Sequence, residues 1–98
     1  MAETARKLTS DELSTELQNL EGWKLVDGQI VHIFRFADFR EAIRFVNAAA
    51  ELAEAAGHHP DLDIRYNQVH CALSTHDSGG VTAKDTQLAK QLDEASSR

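Results

Sequence analysis

At 98 residues the chain has room for one domain with a thin core, because a protein of this size buries only about two thirds of the surface its unfolded form exposes. With 42% hydrophobic residues, one Pro and five Gly, the composition is globular and excludes a linker, a collagen or a disordered tail. Sixteen acidic against ten basic side chains leave a formal charge of −6, which opposes a nucleic-acid phosphate backbone; no apolar run reaches the roughly 18 residues of a membrane span, and the single Cys71 excludes an intrachain disulfide and any Cys-rich metal spacing. We therefore expect one soluble cytoplasmic domain over residues 1–98, its polar segment 1–7 disordered, with no direct nucleic-acid or membrane partner.

Thr9 with Glu12 three residues on forms a capping box, and Leu8 with Leu13 encloses it as a hydrophobic staple, so a first helix begins here. Leu13, Leu17 and Leu20 make its apolar stripe, and Gly22 ends it. Trp23–Val26 and Gln29–Phe36 are rich in β-branched and aromatic residues, and Asp27-Gly28 between them is a two-residue hairpin signal. Asp38 with Glu41 caps a long helix that runs to Gly57. One apolar line on it includes Phe39, Ala42, Val46, Ala49 and Ala53; a second holds Phe45, Ala48, Leu52 and Ala55. That double line is wider than one sheet face requires, which suggests that the helix also packs against another subunit. Leu62–Tyr66 and Val69–Thr75 flank an expected Asn67-Gln68 turn, and Thr82 with Asp85 caps a last helix whose Leu88, Leu92 and Ala95 face inward. The order α-β-β-α-β-β-α predicts an α+β fold of two layers, a four-stranded antiparallel sheet with helices on one face. The other face would be free for solvent or a partner.

Chemistry gathers around histidine. His58 and His59 lie between the long helix and the third strand, and His76 lies just past the fourth; His32 and His70 are mid-strand. A hairpin turning at Asn67-Gln68 sets His59 opposite His76, bringing two distant segments to one rim. Imidazole titrates near pH 6.5, so such a cluster holds both protonated and neutral members at neutral pH, as paired acid and base catalysis requires. Histidines in loops also occur with no catalytic duty. Three His ligands plus water would suit zinc, but adjacent residues on extended backbone point to opposite sides, and no helical His-x-x-x-His pair exists. Ser74, Thr75 and Ser78 lack a Gly-x-Ser-x-Gly elbow. Gly79-Gly80 before a helix could hold an anion, although a turn with a cap explains it equally well. Asp85 suits a cap better than a catalytic acid, and Trp23, Phe36 and Cys71 read as core.

Glu54-Ala55-Ala56-Gly57-His58-His59-Pro60, followed by Tyr66, Val69, Leu73, Thr75-His76, Gly80 and Asp85, resembles the signature of the pterin-4a-carbinolamine dehydratase family. The likeness runs from Leu8 to about Leu92. Its eukaryotic members also serve as dimerisation cofactors of a homeodomain transcription factor. The resemblance implies a hydro-lyase that converts 4a-hydroxytetrahydropterin to quinonoid dihydropterin and water, with no metal or redox cofactor. It implies His58, His59 and His76 as catalytic positions, His58 and His76 as the acid/base pair and His59 on the substrate. Glu54, Pro60, Asp61, Ser74, Thr75 and Asp85 would bind substrate or support the site. A homodimer or homotetramer is implied as well. Leu62 and Ile64 stand where animal members carry Trp and Asn, so contacts on that side of the pterin would differ. The alternative is a non-catalytic dimerisation or coactivator module using the free sheet face.

Overall fold

A computed structural model describes residues 5–97. Helix α1 (Ser10–Gln18) opens on the capping box, with Thr9 Oγ1 accepting from Glu12 N–H at 3.1 Å and Glu12 Oε1 from Thr9 N–H at 2.9 Å. It closes at Asn19, before Gly22, so Leu20 reaches the core from the connection rather than from the helix. Strands β1 (Lys24–Val26) and β2 (Gln29–Arg35) meet at Asp27-Gly28, both with positive φ, as the tight hairpin turn demands. Helix α2 (Phe39–Ala56) starts where Asp38 accepts from Glu41 N–H at 2.9 Å and stops at Gly57, whose left-handed φ of 63° a side chain would resist. Strands β3 (Asp61–Arg65) and β4 (Gln68–Leu73) form the second hairpin; a 3-10 turn at His76–Ser78 then leads to helix α3 (Ala83–Ser96).

The four strands make one antiparallel sheet in the order β1-β2-β4-β3. Register places Ile30 beside Leu73, His32 beside Cys71 and Phe34 beside Val69, so these six share the face that the helices cover. Leu88, Ala89 and Leu92 of α3 are buried with Ala42, Phe45, Ala49 and Ala53 of α2 in the same core. The buried side of α2 thus runs between the two expected apolar lines: Phe45 from the second is buried, while Phe39 from the first is 51% exposed. The opposite sheet face, with Val31, Ile33, His70 and Ala72 in its middle, is left without a covering layer among the described residues. No helix among them is long and apolar enough to cross a membrane.

Trp23 is buried and its indole donates to Asp93 Oδ1 at 2.9 Å, tying the first hairpin to the last helix. His32 lies at 5.2 Å from the Trp23 ring and 4.2 Å from the Phe34 ring, centroid to centroid. Its Nδ1 is buried at 3.6 Å from Asp93 Oδ1, beyond hydrogen-bond reach. Of the segment 1–7, residues 1–4 fall outside the described part; Arg6 pairs with Glu12 at 2.8 Å, and Lys7 bridges Thr82.

Candidate active site

The site is built where the end of α2, the end of β4 and the start of α3 converge. The left-handed Gly57 ends α2 and lets His58 N–H return to Ala53 C=O at 3.1 Å, so the imidazole leaves the helix at a fixed point. Its ring is 12% exposed, and Nε2 lies 2.5 Å from Asp85 Oδ1. Asp85 is fully buried in the first turn of α3, a helix end at which negative charge is favoured. Its second oxygen accepts from Thr82 N–H at 2.9 Å and from the Thr75 hydroxyl at 2.8 Å. A carboxylate withdrawn from water is tolerable only when its lone pairs are filled, and here three donors fill them. Where Asp85 is a carboxylate it accepts only, so the hydrogen of this bond is donated by His58 Nε2 and Nδ1 is left outside it.

His59 Nε2 meets Glu54 Oε2 at 2.5 Å, but the two side chains are 62% and 75% exposed. Solvent screens such a pair, which orients the ring more than it stabilises the fold. His76 opens the 3-10 turn directly after Thr75 and is exposed. The turn's ends are clasped by Thr75 N–H to Gly80 C=O at 2.8 Å and Gly80 N–H to Thr75 C=O at 3.4 Å.

The expected register of the second hairpin is corrected. The chain turns at Tyr66-Asn67, Tyr66 taking the left-handed φ of 53°, and Arg65 pairs with Gln68. Asn67 is held by its own partners: its side-chain amide donates to Phe36 C=O at 3.0 Å and its carbonyl accepts from Phe36 N–H at 2.9 Å. Extended along the strands, this pairing sets Ser74, not His76, opposite His59, so facing positions on a ladder do not explain how these histidines would share a rim. Asp85 instead connects the two stretches, bonded to His58 on one side and to Thr75, the neighbour of His76, on the other.

Of the supporting residues, Thr75 and Asp85 join His58 directly, and Glu54 joins His59. Pro60 and Ser74 are half-buried beside them in the chain. Asp61 is exposed and pairs with Ala72, which puts it on the uncovered sheet face. Sequence reasoning missed Thr82 as more than a cap: fully buried, its hydroxyl lies 2.9 Å from that of Thr75. Cys71 is a core thiol, pushed up to about 12 by burial with help from Asp61 and Asp93, and is no nucleophile at neutral pH. Among the described residues no three His, Cys, Asp or Glu side chains gather as metal ligands. A groove of about 520 Å³ between α2 and α3 is lined by Phe36, Phe45, Ala48 and Leu52 and involves none of the three candidate histidines.

Comparison with known proteins gives a consistent result. The family described as pterin 4 alpha carbinolamine dehydratase matches residues 6–95. A protein of Chloroflexus aurantiacus, provisionally named a pterin-4-alpha-carbinolamine dehydratase, is 52% identical over 88 residues, covering 90% of this chain and 95% of its own. A second of that provisional name, from Gloeobacter violaceus, is 52% identical over 90 residues, covering 88% and 98%. A crystal structure of a transcriptional coactivator/pterin dehydratase from Brucella melitensis superposes with a TM-score of 0.90 at 36% identity, covering 93% of this chain and 99% of that one. A pterin dehydratase-like protein identified as a RuBisCO assembly factor in the alpha-carboxysome shares the fold, with a TM-score of 0.63 at 20% identity.

Proposed function

We propose that this chain, which belongs to the pterin-4a-carbinolamine dehydratase family, dehydrates 4a-hydroxytetrahydropterin to quinonoid dihydropterin by histidine acid/base catalysis. The observation that carries the mechanism is the buried Asp85 carboxylate bonded to His58 Nε2. It fixes the tautomer and stabilises the imidazolium that forms when Nδ1 takes a proton, the same service a buried Asp gives a catalytic His elsewhere. The 4a-hydroxyl leaves as water once protonated, the N5 proton is removed, and the C4a–N5 double bond forms. The nitrogen lone pair drives the departure, so the step draws on proton transfers alone, with no metal or redox group. His58 and His76 form the acid/base pair, and His59, oriented by Glu54, binds the pterin. Each proton transfer contributes roughly 10² to 10⁴ in rate.

Stopped-flow decay of the 4a-carbinolamine with and without the protein tests this function. Acceleration that survives chelation supports it; decay at the uncatalysed rate rejects it. The exposed Phe39 and the apolar groove beside α2 support assembly through that helix into a homodimer or homotetramer, to be read by sedimentation. A second reading, a coactivator-type module, is favoured by the uncovered sheet face, where Ile33 is 39% exposed, and by the coactivator half of the Brucella relative's double name. Absence of catalysis together with binding of a protein partner to that face would select it.

A further inference from the structure

Two buried threonines outside the acid/base set have side-chain hydrogens whose directions can be assigned. Lys84 N–H donates to Thr82 Oγ1 at 3.2 Å. Thr75 gives its only hydroxyl hydrogen to the Asp85 carboxylate at 2.8 Å, because that group accepts and does not donate. The 2.9 Å contact between the two hydroxyls must then run from Thr82 to Thr75. All hydrogens in the chain point the same way, from the α3 backbone through Thr82 and Thr75 to Asp85 Oδ2. With Thr82 N–H on the same oxygen at 2.9 Å, two donors define the carboxylate plane and leave Oδ1 aimed at His58. Thr82 is fully buried and Thr75 is 8% exposed, so water is poorly placed to substitute.

We infer that Thr75 and Thr82 act together as positioning residues, their hydroxyl chain holding Asp85 in the rotamer that presents Oδ1 to His58. The inference rests on the acid/base reading of His58 above. Of the two roles expected for Thr75, binding substrate or supporting the site, it assigns the second, behind the reacting groups. The backbone of Thr75 also clasps Gly80, which steadies the loop that carries the second histidine.

The test uses Thr75→Val, which keeps shape and removes the hydroxyl, and Thr75→Ser, which keeps the hydroxyl. A ring N–H held on a carboxylate gives a far-downfield proton resonance protected from water exchange. The wild-type protein should show one for His58 Nε2, Thr75→Val should lose or broaden it, and Thr75→Ser should restore it. kcat should fall at least about tenfold in Thr75→Val with KM nearly unchanged, because the hydroxyl touches no substrate. Thr82→Val should act in the same direction and more weakly, since Thr75 can still donate to Asp85. Asp38→Ala, which removes a comparable helix cap at the other end of α2, should lose stability without moving the resonance. If Thr75→Val fails to fold, the resonance and kcat of Thr82→Val decide. An unmoved resonance with a normal kcat overturns the inference, as does failure of Thr75→Ser to restore either, or a rise in KM alone. A wild-type protein with the resonance but without dehydratase activity would sink the proposed reaction and leave the positioning intact.

Discussion

Replacing Asp85 separates its charge from its shape. Asp85→Ala strips acceptors from His58 Nε2–H, Thr75 Oγ1–H and Thr82 N–H, all in a buried setting. The His58 ring, 12% exposed, can shift its hydrogen to Nδ1, which leaves Thr75 Oγ1–H and Thr82 N–H as two orphaned donors at about 1–3 kcal/mol each. A loss of roughly 2–6 kcal/mol is a large share of the 5–15 kcal/mol that holds a small domain together. Asp85→Asn is milder. Its amide oxygen can stay on Thr75 and Thr82 while its NH₂ turns to His58, at the cost of charge-assisted bonds, about 1–2 kcal/mol. That NH₂ needs an acceptor, so His58 must move its hydrogen from Nε2 to Nδ1, the nitrogen assigned to take the substrate's proton. Urea unfolding should therefore rank wild type above Asp85→Asn above Asp85→Ala. Long-range ¹⁵N–¹H spectra of Asp85→Asn should show the Nδ1–H tautomer of His58, with kcat down at least about a hundredfold. A folded Asp85→Asn that keeps Nε2–H, or turns over at the wild-type rate, refutes the mechanism built on this bond.

His76→Ala should lower kcat at least about a hundredfold in stopped-flow assays, whereas His59→Ala should chiefly raise KM; the opposite pattern would exchange their roles. His32 is held below the ordinary histidine range by burial, against a smaller pull upward from Asp93, while Trp23, Phe34 and Gly22 give it no charge to pair with. The neutral ring is thus the folded state's preference, so stability is full above the unfolded value near pH 6.5 and is lost as pH falls from there toward the lowered folded value. Denaturant midpoints between pH 7.5 and 5.5 should fall in the wild type and flatten in His32→Gln; equal slopes would refute this. At Gly22, φ is 90° and an added Cβ would sit 2.7 Å from His32 Nε2. Gly22→Ala combines left-handed strain of roughly 1–2 kcal/mol with overpacking of about 1–3 kcal/mol, and an unchanged urea midpoint would contradict that sum.

Local signals in the sequence carried most of the architecture. Three helix starts were readable because their caps are contacts over two or three residues, and Asp27-Gly28 was readable because its turn needs positive φ at both positions. The second turn was misplaced by one residue because Tyr66 took the left-handed position and Asn67 was held by Phe36, a partner 31 positions away. The buried stripe of α2 was only half legible, since alanines are apolar on any side and tertiary packing chooses among them. His58, His59 and His76 could be nominated from their place at element ends. Their partners could not all be found that way: Asp85 is a cap by its local pattern and a histidine's partner only after folding, and Thr82 has no local mark beyond the cap.

Trp23 is the chain's one tryptophan, and its indole rests on Asp93, eight positions beyond Asp85 on the same helix. The protein therefore carries an intrinsic optical gauge of whether its final segment is docked. Emission from that ring should report loosening of the C-terminal element under heat, denaturant or truncation, without any label. A sample with a native spectrum but no turnover would point to a fault in the catalytic groups, whereas a red-shifted one would point to undocking.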